Sequence, residues 1–142
     1  MVFTFQVTFD SADPARLGGF WAELLGYIQQ PPPDGFATWD EFLRRAGYSE
    51  DELHAAYAIV DPGQVGPRIY IQRVPEPKQA KNRVHLDVNV GAGLEGAERR
   101  AKVDSEVERA KTLGATVQRA LDEHGEYCVV MQDPEGNEFC LQ

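Results

Sequence analysis

Residues 2–9 alternate between apolar and polar positions: Phe3, Phe5, Val7 and Phe9 fall on one face, Thr4, Gln6 and Thr8 on the other. A period of two predicts a strand with one core face. The period then changes. Asp13-Pro14 places an N-cap before a proline at the first helical position, and Leu17, Phe20, Trp21, Leu24 and Leu25 follow helical spacing up to Gly26. This predicts a helix over 14–25 with a glycine C-cap. Tyr27-Ile28-Gln29-Gln30 can begin a strand before the three prolines 31–33 stop it. Two capping boxes follow, Thr38 to Glu41 and Ser49 to Glu52, and predict two short helices inside 34–57. Strands are expected at 57–60 and 67–74, separated by an Asp61-Pro62 turn.

Pro75 to Lys81 is a polar, proline-punctuated connector, after which the same order begins again. Val84, Leu86, Val88 and Val90 alternate with His85, Asp87 and Asn89. A glycine-rich loop at 91–96 leads to a helix with Val103, Val107, Ala110 and Leu113 as its apolar stripe and Gly114 as its stop. Val117 suggests a short strand, His124-Gly125-Glu126 a turn, and 127–132 a strand with Tyr127, Val129 and Met131 on one face. The chain closes on Asp133-Pro134-Glu135-Gly136-Asn137 and a strand with Phe139 and Leu141 inward. Gly66-Pro67-Arg68-Ile69-Tyr70-Ile71-Gln72 has the layout of Gly136 to Gln142. Each half therefore reads strand, helix, then about three strands, a duplication rather than a repeat array. The fold class expected is α+β: two βαβββ modules, 1–77 with a helical insertion at 34–57 and 81–142, forming one domain around one open β-cup.

The chain has 142 residues, enough for one domain, while halves of about seventy would each be marginal alone. Its formal net charge of -9 argues against a nucleic-acid or anionic-membrane partner, both of which reward basic patches. The N-terminal residues carry no basic leader, and no run is long enough to span a bilayer, so a cytoplasmic location is expected. Two cysteines without secretory context are expected as free thiols; Cys128 and Cys140 are expected on neighbouring strands, so a bridge stays open.

If the apolar faces pack on helices, the opposite faces line the cup. Alternation places Gln6, Thr8, Arg68, Tyr70, Gln72, His85, Asp87, Asn89, Glu138 and Cys140 there, with Gln142 at the margin. Polar groups gathered from several strands make a small-molecule site the default expectation. Arg68 is either a bidentate anchor for a carboxylate or phosphate or a rim residue in solvent. His85 is a hydrogen-bonded pocket histidine, a metal ligand or a general base. Cys140 beside it invites a nucleophile reading, but no orienting third group can be named, and a thiol is also a common filler. Trp39 and Phe42 sit in the unduplicated segment, as a lid, a partner contact or a cover for a sheet face. The Lys78, Lys81 and Arg83 cluster reads as a solvated connector.

Paired modules with Asp13-Pro14 through Phe20-Trp21 and Leu25-Gly26, then Val84-His85-Leu86-Asp87, Leu113-Gly114-Ala115 and Asp133 to Asn137, resemble the vicinal oxygen chelate superfamily, which includes glyoxalase I, extradiol dioxygenases and bleomycin-resistance proteins. With Val74-Pro75-Glu76, the set is similar to that superfamily's small glyoxalase-like proteins. The resemblance implies an eight-stranded cup, a homodimer, and metal ligands on the first and last strand of each module. Gln6 and His85 match the two first-strand positions. Cys140 falls where the last strand usually supplies Glu, with Tyr70 as its first-module counterpart and Gln72 as a register alternative. No cofactor is firmly implied; a divalent metal (Zn, Ni, Mn or Fe) on His85, Gln6 and Glu138 is the set the resemblance allows. Neutral Gln, phenolic Tyr and a thiol are poor donors for a hard divalent ion. Cys140 with His85 suits Zn²⁺, but two further good ligands are not evident from sequence. The leading expectation is a protein that binds a small organic molecule without the full metal site. A metal-dependent lyase or dioxygenase is the alternative, and a purely structural dimer module the third.

Overall fold

The computed structural model describes residues 1–142, which fall into two compact units, Met1–Pro77 and Lys78–Gln142. In the first, β1 (Val7–Ser11), α1 (Pro14–Leu25), β2 (Ile28–Gln29), α2 (Trp39–Arg45), a 3₁₀ turn (Glu50–Glu52), β3 (Ala56–Val60) and β4 (Ile69–Arg73) follow in order. In the second, β5 (Asp87–Val88), α3 (Gly96–Leu113), β6 (Thr116–Glu123), β7 (Glu126–Gln132) and β8 (Glu138–Leu141) follow. Each unit holds a four-stranded sheet, ordered β1-β4-β3-β2 and β5-β8-β7-β6. The orders are the same when the strands of the second unit are matched to those of the first. In both, the first strand runs parallel to the last and the remaining pairings are antiparallel.

Helix α1 begins where the Asp13 carboxylate accepts the Arg16 N–H at 3.2 Å and ends at Gly26, as its capping residues predict. Its stripe of Leu17, Phe20, Trp21 and Leu24 is buried and packs on β3 and β4, where Ile59, Ile69 and Ile71 supply the opposing face. In the second unit Val103, Val107 and Ala110 of α3 meet Val129, Met131, Phe139 and Leu141. The two inward residues of β8, and their counterparts Ile69 and Ile71 in β4, are each at most 2% exposed. Alternation along these strands thus sends every second side chain to the helix side and the others away from it.

Several elements differ from their sequence expectation. The strand predicted over 2–9 begins only at Val7, and Phe3 and Phe5 are 82% and 73% exposed. The parallel partner β4 starts at Ile69, opposite Val7, and the loop before it offers no ladder to residues 1–6. Likewise, β5 shrinks to Asp87–Val88, because β8 gives it only a short parallel neighbour, and Val84 is left exposed. The second predicted helix of the insertion is a single 3₁₀ turn: Ser49 and Glu52 form their capping box, but the chain turns into β3 four residues after the turn ends. In the opposite direction, the short strand expected at Val117 is the eight-residue β6, paired along β7 through the His124-Gly125 hairpin. Its outer positions are mostly polar, so hydrophobic alternation did not reveal its length.

The two Asp-Pro turns are built alike but not residue for residue. Asp61 accepts the N–H groups of Gly63, Val65 and Gly66, and Asp133 accepts those of Glu135 and Asn137. The left-handed position three residues after the aspartate is Gly136 in the second turn and Gln64 in the first. Gly66, which aligns with Gly136 in sequence, is needed for a different reason: a Cβ there would come within 2.0 Å of the Tyr27 hydroxyl. Asp133 is 3% exposed, so Asp133→Ala leaves two backbone donors of a packed turn without their acceptor. The expected cost is roughly 2–3 kcal/mol in urea denaturation, with Asp133→Asn recovering part of it.

Candidate functional site

On the first sheet, the face turned away from α1 carries Gln6, Thr8 and Asp10 beside Arg68, Tyr70 and Gln72, since β1 and β4 pair Thr8 with Tyr70 and Asp10 with Gln72. Arg68 is its centre. Its Nε donates to Gln30 Oε1 at 2.6 Å and its Nη1 to Gln6 Oε1 at 2.7 Å, while its guanidinium carbon lies 5.2 Å from the Tyr70 ring centroid. Both acceptors are neutral amide oxygens. They hold the planar group in place without cancelling its charge. Gln72 is engaged apart from this cluster, donating to Asp10 Oδ1 at 2.8 Å.

Arg68 and Tyr70 line a cavity of about 250 Å³ within the first unit, closed by Trp39, Leu43 and Leu53 and floored by Ala58 of β3. The insertion, through Trp39, Asp40 and Leu43, forms part of the cavity wall. Trp39 Nε1 donates to the Gln30 carbonyl at 2.6 Å, and Phe42 packs edge-on to both Trp39 and Phe36. Gln30 thus joins the site twice, through its side chain to Arg68 and through its carbonyl to Trp39. In the sequence Gln30 is only the last residue of a short strand candidate before the prolines; a contact across 38 positions reveals its role.

In the second unit the corresponding face carries His85, Asp87, Glu138 and Cys140. His85 Nδ1 and Asp87 Oδ1 are 2.8 Å apart, and Asp87 lies opposite Cys140 across the β5–β8 pair. One donor atom each from His85, Asp87 and Cys140 lie within 4.8 Å of one another. Burial, then the Asp87 carboxylate and the Cys128 thiol, push the Cys140 thiol up to about 11. Cys128 joins this face beyond the residues expected from sequence: alternation along 127–132 sets it opposite to Val129 and Met131, on the side that Cys140 faces. Gln142, at the margin of this face, donates to Asn89 Oδ1 at 2.9 Å.

A thiol held protonated is a weak nucleophile. Alkylation of Cys140 by iodoacetamide, followed by peptide mass mapping, is expected to stay slow at neutral pH and to rise steeply only as pH approaches 11. The folded-state value lies above the ordinary one near 9, so the stabilisation tied to this proton is complete below pH 9 and is lost as pH rises through 11. A rate that levels off by pH 9 would refute the burial of this group.

Glu138 turns to other partners. Its carboxylate accepts the Asn82 N–H at 3.0 Å and pairs with Lys78 Nζ at 3.1 Å. Burial raises its pKa, but these donors outweigh it and the net position is below the usual carboxylate range. A hard divalent ion on the set Gln6, His85 and Glu138 needs free anionic oxygens. Here the Gln6 oxygen already receives a cationic N–H, and the Glu138 carboxylate is neutralised by a lysine. The donors present do not fit such an ion.

A family model described as a glyoxalase-like domain matches residues 6–142. No curated protein sequence matches the chain. Among solved structures, the chain is similar to a glyoxalase/bleomycin resistance protein/dioxygenase family enzyme from Burkholderia phytofirmans, with 17% identity, TM-score 0.60, and 96% of this chain and 94% of that one covered. It is also similar to the fosfomycin resistance protein FosX from Listeria monocytogenes, at 16% identity and TM-score 0.64 over 100% of this chain and 91% of that one. A possible glyoxalase from Bacillus cereus aligns at 15% identity and TM-score 0.61 over 100% and 99% of the two chains. At these identities the likeness is one of fold. No helix of the chain is long and apolar enough to cross a membrane.

Proposed function

Because the chain belongs to the glyoxalase-like domain family of the vicinal oxygen chelate superfamily, we propose that it binds a small organic anion in the cavity of its first unit, without the metal site of its metal-dependent relatives. The observation that carries this reading is Arg68. A guanidinium oriented by two neutral amides keeps its charge for a ligand and presents a fork that matches a carboxylate or phosphonate. Trp39, Leu43, Leu53, Ala58 and the Tyr70 ring of the same wall suit an apolar or aromatic body, with Asp40 and His54 as its other ionisable groups beside Arg68. A few polar groups fixing orientation within an apolar wall is the usual construction of a small-molecule site, and the volume admits a ligand smaller than most drugs.

The test is a thermal-shift and calorimetric panel of small aromatic and aliphatic carboxylates and phosphonates, each beside its neutral amide or ester. Anions are expected to raise the melting temperature and their neutral counterparts to leave it unchanged. Equal binding of neutral counterparts would defeat the reading. Binding that appears only with added Mn²⁺, Ni²⁺ or Zn²⁺ and disappears with a chelator would instead favour the metal-dependent lyase or dioxygenase.

A further inference from the structure

The wall of the first-unit cavity carries one charge that a plain anion leaves unanswered. Asp40 of α2 lines it together with Arg68. The Asp40 carboxylate makes no hydrogen bond and no salt bridge. Its basic neighbour one turn along α2, Arg44, is engaged elsewhere: its Nε and Nη2 donate to Glu50 at 2.7 and 3.0 Å. His54, the remaining ionisable group of the wall, is exposed and makes no bond to Asp40. Arg68, for its part, donates from Nε to Gln30 and from Nη1 to Gln6, and its Nη2 makes no hydrogen bond. The wall thus presents one carboxylate and one guanidinium, each with donors or acceptors unmatched, in the company of Trp39, Leu43, Leu53 and Tyr70.

We propose that the ligand of this cavity is amphoteric: a small organic molecule whose carboxylate or phosphonate is held by Arg68 and whose ammonium or amidinium is held by Asp40. The proposal rests on the anion-binding reading of the same cavity and narrows it. A ligand with an acidic group alone brings a second negative charge into an apolar wall that already holds Asp40. The two charges repel there, and the Asp40 carboxylate loses water without gaining a donor. A cationic group on the ligand removes both penalties and adds a charge-assisted hydrogen bond. The charge of the whole chain acts in the same direction. At a formal net charge of -9 it repels a simple anion at long range and leaves a molecule of zero net charge unaffected.

Calorimetric titration with ligands built on one phenyl body tests the proposal. Hydrocinnamate carries the acid alone and phenethylamine the amine alone. Phenylalanine, β-phenylalanine and para-aminomethyl-phenylacetate carry both, at three separations. The best of these three is expected to bind roughly 10-fold more tightly than hydrocinnamate, the worth of one hydrogen bond to a charged group. Asp40→Asn keeps the shape of the side chain and is expected to abolish that advantage, while hydrocinnamate binds as well as before or better. Arg68→Ala should weaken both. Thermal melts of each variant check that the fold is intact. Hydrocinnamate binding as tightly as all three amino acids, or Asp40→Asn weakening acid and amino acid alike, overturns this proposal and leaves the anion reading standing. If hydrocinnamate and the amino acids all fail to bind, both readings fall. Both fall as well if phenethylamine alone binds and Asp40→Asn abolishes it, because the cavity is then one for cations.

Discussion

Trp21→Ala is expected to cost about 3–5 kcal/mol of folding stability, lowering the melting temperature by roughly 10–20 °C. Trp21 is 1% exposed, lies on the buried stripe of α1, and meets Phe9 of β1 in a tilted contact at 5.3 Å and Phe20 edge-on at 5.4 Å between ring centroids. It links α1 to β1, the strand that bears Thr8 and pairs with β4. Truncation removes a large apolar surface and leaves a cavity that two rigid rings cannot close. Trp21→Phe keeps most of the volume and is expected to lose less than half as much. Chemical denaturation of both variants measures the difference. Equal, small losses would show that the helix is held mainly by Leu17 and Leu24.

Arg68→Ala is expected to weaken the binding of the best carboxylate or phosphonate ligand by roughly 10- to 100-fold, the worth of hydrogen bonds to a charged group. Its effect on stability should be small, because the residue is only half-buried and its partners Gln6 and Gln30 can turn to water. Arg68→Lys keeps the charge but loses the planar fork and its two amide supports. It is expected to recover only part of the affinity. Gln30→Ala provides a finer test: it leaves the charge intact and removes one support, so a few-fold loss is expected. Calorimetry on the four proteins with one anionic ligand decides. Undiminished affinity in Arg68→Ala would remove the anchor from the proposal.

Much of the fold was legible because its signals are local. Asp13-Pro14 and Gly26 bracket α1, and the alternation around Phe139 and Leu141 marks β8 with its buried side. These depend on a few adjacent residues whose backbone preferences and apolar spacing act together. The repeated order of elements followed from the same cues, and both sheets share it. Strand length was less legible. It depends on the partner: Phe3, Phe5 and Val84 alternate as a strand would, yet their neighbours end too soon to pair with them.

At the candidate site, the side of the strand on which each side chain falls could be read from residue order, because alternation along a strand is a property of the chain. It put Gln6, Arg68, Tyr70, His85, Asp87 and Cys140 on the polar faces of their strands, and the expectation joined them in one cup. What each group touches there follows from the folded arrangement of the strands. It paired Glu138 with Lys78, set the neutral amides of Gln30 and Gln6 to hold Arg68, and brought Cys128 beside Cys140. These are contacts between residues far apart in the chain, whose spacing follows from sheet order and loop path rather than from any neighbouring pattern. The identity of a donor is written in the sequence; whether it remains available is settled by the partner that folding places within 3 Å of it.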